Sequence, residues 1–143
     1  MKTLAEVQNI LDHIEFINNG GCAISALSMY RWLQKYDNAE HVYFYYCHYD
    51  KSDSYKNNKA VLTSKKGKPQ GCSHVVLYKD KKCIDSGGVV DVTEYKYTLR
   101  ITDINFVLES INNVSAWSSL FDRNSIKEIE EKLGIDLSDI IIN

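Results

Sequence analysis

The chain has 143 residues and a single proline. Without proline-rich stretches, long stiff linkers are not expected, and the length suits one domain, residues 1–143, around one core. No apolar run approaches bilayer length, so the sequence holds no candidate membrane span. Met1 is not followed by a basic stretch and an apolar segment, so no signal peptide is expected and the expected location is cytoplasmic. Charge of one sign is not in excess: 17 Lys+Arg against 19 Asp+Glu leave a net charge of -2. No global field therefore draws the chain to nucleic acid or to a membrane surface. Neither C-x-x-C nor H-x-x-x-H occurs, so paired zinc ligands at close spacing are missing. Cys72-Ser73-His74 and Cys47-His48 are the nearest approaches. There are no repeats and no low-complexity block.

What remains is the balance of a globular protein, 44% hydrophobic and 25% charged. Its four cysteines, Cys22, Cys47, Cys72 and Cys83, read as free thiols rather than a disulfide framework, given no secretory signal.

Thr3-Leu4-Ala5-Glu6 has the form of a capping box. Leu4, Val7, Ile10, Leu11, Ile14 and Ile17 follow at helical spacing and predict a first helix to about Ile17. Asn18-Asn19-Gly20-Gly21 stops it. A second helix is predicted from Cys22 to Tyr36, apolar nearly all round and so central to the domain. His41–Tyr49 reads as a strand, rich in aromatic and β-branched residues. Lys51–Gln70 is polar, lysine-rich loop, broken at most by a short strand at Ala60-Val61-Leu62. Ser73–Lys79 and Cys83–Asp85 form a hairpin that Gly87-Gly88 ends. Tyr95, Tyr97, Leu99 and Ile101 alternate as one more strand. The pattern turns helical at Ile104–Ile111, in a short piece at Trp117–Phe121, and at Asn124–Leu133 with Gly134 as its stop. Ile140–Ile142 is an apolar tail, either a docked edge strand or a contact surface. Helices, then strands, then helices indicate an α+β fold with an antiparallel sheet.

Three short blocks carry chemistry. Cys22 opens the central helix, where the positive end of the helix dipole favours thiolate. The bland reading is a small buried hydrophobe at a helix start. His74 opens a strand, on the face of Val76 and Tyr78. Asp85 lies across the hairpin. With a turn at Lys79-Asp80 it opposes His74 directly; with a turn at Asp80-Lys81 it is the diagonal neighbour. Either register puts imidazole and carboxylate on one surface. Cysteine, histidine and aspartate in this order are what a thiol nucleophile, its base and the base's orienting partner require. The Cys22 backbone N–H is one oxyanion donor, and the Asn18 or Asn19 carboxamide is a candidate for a second. Cys72 shares a strand face with His74. Tyr43, Phe44, Tyr45, Tyr46 and Tyr49 line a groove or simply pack the sheet.

Gly21-Cys22-Ala23-Ile24-Ser25-Ala26-Leu27, Ser73-His74-Val75-Val76-Leu77 and Ile84-Asp85-Ser86-Gly87 together resemble the signature blocks of the papain-like cysteine peptidase superfamily. The flavour is that of its small bacterial and phage branch, similar also to transglutaminase-like and bacteriocin-leader peptidases. The resemblance implies a nucleophilic Cys22 on a central helix, packed on a sheet carrying His74 as base and Asp85 as orienting acid. The family's glutamine ahead of the cysteine has no counterpart here; Phe16 occupies that region. The function expected is a cysteine hydrolase or acyltransferase acting on an amide, isopeptide or thioester carbonyl, with no cofactor and no metal. The expected partner is a peptide or protein substrate, not nucleic acid or membrane. Peptidase, amidase, deamidase and transferase stay open, as does oligomeric state. The alternatives are a non-catalytic binding or inhibitor protein on the same scaffold, and a nucleic-acid binder using the Lys51–Lys68 loop.

Overall fold

The computed structural model describes residues 2–15, 17, 22–48, 74–95, 97–113 and 123–141. Two helices come first, α1 (Leu4–Asp12) and α2 (Cys22–Trp32). Five strands follow: β1 (Tyr43–His48), β2 (His74–Lys79), β3 (Lys82–Asp85), β4 (Gly88–Val90) and β5 (Tyr97–Ile101). Two helices, α3 (Ile104–Asn113) and α4 (Arg123–Leu133), complete the described chain. All strand pairs are antiparallel, in the order β4-β3-β2-β1-β5. The fold is α+β, as segregated elements imply. The loop and short strand expected within Lys51–Gln70, and the piece at Trp117–Phe121, lie outside the described residues.

The capping box forms: Glu6 N–H donates to Thr3 Oγ1 and Thr3 N–H to Glu6 Oε1, both at 3.2 Å. α1 is shorter than its apolar spacing predicts. The His13 ring takes the Asn9 carbonyl at 2.7 Å, and the His13 N–H turns to Ile10 O instead. Ile14 and Ile17 still reach the core, on single turns bonded three residues back. Burial needs the side chains to point inward; it does not need the helix to continue.

α2 is buried from Ala23 to Met29, and it packs chiefly on β2. Its last expected turn widens into a π-helical segment, Leu33–Asp37, closed by Asn38 in the left-handed region at φ 48°. The far end of α2 is tied to the C-terminal segment. Arg31 makes a two-pronged ion pair with Asp139, and Tyr36 Oη donates to Gly134 O at 2.8 Å. Ile140 is buried there while Ile141 is exposed, and Ile141 N–H donates to Asn112 Oδ1. The tail thus docks through one side chain and one backbone bond, not as an edge strand; Ile142 lies outside the described residues.

Alternation divides the sheet into two faces. Phe44, Tyr46, Val75, Leu77 and Ile84 join the main core with the helices. Cys47, Val76 and Cys83 form a second small cluster on the other face, flanked by Tyr45, Tyr78 and Tyr95. The hairpin turn is Asp80-Lys81, with both φ values positive at 52° and 66°. That is the twist-matched two-residue loop, and it sets Tyr78 opposite Cys83 and Leu77 opposite Ile84. The hairpin does not end at Gly87-Gly88. Gly88, at φ +120°, lets the chain reverse again and add β4, with Asp85 paired to Gly88. Tyr95 is likewise not the first residue of a strand: it closes a 3-10 turn, Val92–Glu94, capped by Asp91.

Candidate active site

Three elements deliver the three side chains. Cys22 is the first residue of α2 and half-buried. His74 is the first residue of β2, opposite Cys47 of β1. Asp85 is the last residue of β3. The observed register is the diagonal one, and it suffices: His74 Nε2 lies 3.0 Å from Asp85 Oδ2. The ring is also hydrogen-bonded to the Cys22 side chain. With Nε2 on Asp85, the ring nitrogen left to meet the sulfur is Nδ1. Asp85 shares the face of the small cluster, while α2 covers the opposite face. One imidazole serves both because it stands at the end of its strand. His74 and Asp85 are 23% and 26% exposed, so both side chains reach solvent.

The electrostatics favour a charged pair. The Asp85 hydrogen bond, then the Cys22 hydrogen bond, push His74 up from 6.5 to about 9 against the opposing effect of burial. That direction favours the imidazolium at neutral pH. Burial works to raise the Asp85 carboxyl, but bonds from His74 and from the Gly87 and Gly88 backbone outweigh it and hold it below its usual value. The Gly87 N–H donates to Oδ1 at 2.8 Å, so each carboxylate oxygen has its own donor.

The other two described thiols are buried. Burial, with smaller pushes from Cys83 and Cys22, drives Cys47 up to about 12, and burial also raises Cys83. Both are thiols at neutral pH and poor nucleophiles. Cys72, with the oxyanion candidates Asn18 and Asn19, lies outside the described residues. The Cys22 N–H belongs to the first turn of α2, whose donors have no acceptor within the helix. Among the described residues, no group of three or more His, Cys, Asp and Glu is placed to hold a metal ion, and no helix is long and apolar enough to cross a membrane.

Two neighbours escaped the sequence reading. Tyr95 stacks on the His74 ring, with centroids 6.4 Å apart and planes 22° from parallel. The only local sign was Asp91 two residues before Thr93, an Asx-type turn signal. Gln8 of α1 donates to Asp85 O at 2.9 Å; an amphipathic pattern places it at the border of the buried face but names no partner. Comparison with known family models, curated proteins and solved structures finds no match to this chain.

Proposed function

We propose that the chain is a cysteine hydrolase or acyltransferase of papain-like arrangement, acting on an amide, isopeptide or thioester carbonyl. The observation that carries this reading is the contact of one imidazole with both the Cys22 side chain and the Asp85 carboxylate. The proton that His74 carries is the one Cys22 gives up, and the imidazolium holds the thiolate beside it as an ion pair. The sulfur attacks the carbonyl carbon, and the new oxyanion is met by the Cys22 N–H at the helix start. As the tetrahedral adduct collapses, His74 gives its proton to the departing amine or thiol, leaving an acyl-enzyme. Water or an amine then loses a proton to His74, attacks the thioester and frees Cys22. Asp85 keeps the ring in the tautomer that presents Nδ1 to sulfur. A peptide or protein is the substrate class proposed, and the cytoplasm its setting.

Iodoacetamide labelling across pH tests this. Alkylation at neutral pH is expected at Cys22, slowed by His74→Ala and abolished by Cys22→Ala. An ordinary thiol pH dependence at Cys22, unchanged by His74→Ala, would overturn the mechanism and leave a binding module.

A further inference from the structure

Asp85 is oriented by the turn that follows it. Its Oδ1 is held by the Gly87 N–H, which turns Oδ2 toward His74. A Cβ on Gly87 would lie 3.3 Å from Oδ1, so the carboxylate and the turn are fitted to one another. The turn is in turn held from outside by α1. Gln8 Nε2 donates to Asp85 O at 2.9 Å and, at a longer 3.5 Å, to Gly88 O. These two residues are the pair that closes the β3–β4 ladder. Both partners are carbonyl oxygens, so only the NH2 of the carboxamide can serve. One turn later on the same helix, Asp12 Oδ1 accepts from Ser86 Oγ at 3.3 Å.

We propose that Gln8 is a positioning residue of the site: from α1 it clamps the ends of the β3–β4 turn and thereby fixes the Asp85 carboxylate against His74. The proposal rests on the thiol chemistry above. Gln8 touches no reacting atom and acts only through Asp85. Among the described residues, Asp85 on β3 and Cys22 on α2 act on the His74 ring, Cys47 on β1 pairs with it across the sheet, Tyr95 after the 3-10 turn stacks on it, and Asp12 on α1 bonds Ser86 of the turn after Asp85. Gln8 contributes no charge of its own, so its effect on the ring is geometric.

The test is a cycle of wild type, Gln8→Met, Asp85→Asn and the double variant. Methionine keeps the length and helix propensity but has no donor. Gln8 borders an open cleft of about 210 Å³, so the change removes little core packing; Gln8→Ala is the second variant. The readouts are the NMR titration of the His74 ring and the alkylation rate of Cys22. Gln8→Met is expected to lower the His74 midpoint and slow alkylation roughly five-fold, the factor of one ordinary hydrogen bond. On an Asp85→Asn background it is expected to add nothing, as two residues acting through one contact require. An unchanged midpoint and rate in both folded Gln8 variants, or a loss that adds in full to that of Asp85→Asn, would overturn the proposal. If the titration moves as expected while no acyl substrate turns over, the positioning role stands and the hydrolase reading falls.

Discussion

Asp85→Asn keeps the size of the side chain and removes its charge. Asp85 provides the largest of the effects that lift His74 from 6.5 to about 9. That lift amounts to about 3 kcal/mol in favour of the imidazolium, at about 1.4 kcal/mol per pH unit. Cys22 shares in it, burial opposes it, and the ring is 23% exposed, which screens all of these contributions. Roughly half, some 1–2 kcal/mol, therefore belongs to Asp85. The substitution is expected to lower the His74 midpoint by about one pH unit and to slow Cys22 alkylation at neutral pH by up to about ten-fold, because a less basic ring draws the Cys22 proton less strongly, by about a factor of ten per unit. Proton–nitrogen correlation spectra of the ring, recorded through its titration, give the first number; iodoacetamide kinetics give the second. Unchanged values for both would mean that the 3.0 Å contact does not govern the ring in solution, and the reasoning built on it would fail.

Two further outcomes follow from the same geometry and from the core. Folding raises the pKa of His74, so the stability it contributes is complete below about 6.5 and is lost as pH rises through about 9. Asp85 has a lowered pKa, and its contribution is present above 3.8 and lost as pH falls. The melting-temperature difference between wild type and His74→Gln should therefore shrink from pH 6.5 to about 9; a difference flat across that window refutes the linkage. Leu27 of α2 is fully buried, so Leu27→Ala should cost about 3 kcal/mol in urea unfolding, and a loss under about 1 kcal/mol would show that α2 is not central to the core.

Much of this arrangement is legible in one dimension. The capping box at Thr3, the all-round apolar run after Cys22, and the alternation around His74 each follow from rules that act over a few residues. So does the pairing of His74 with Asp85, because a short turn leaves few registers and each puts both on one face. The misreadings have a common cause. α1 stops where the His13 ring takes a carbonyl from its own helix. β4 exists because β3 offers an edge beside it, and Tyr95 leaves the strand pattern to pack on His74 and the small cluster. None of these is written in local spacing.

From the linear chain alone came the sequence of helices, then strands, then helices, the burial of α2 and the three candidate groups, since propensity and periodicity are short-range properties. Only tertiary structure decided that the Cys22 side chain meets the ring of His74, that Cys47 and Cys83 are set apart by burial, and that Gln8 grips the turn beyond Asp85. Those contacts join residues from different elements. They depend on how the helices seat against the sheet, a packing free energy that no window of neighbouring residues contains.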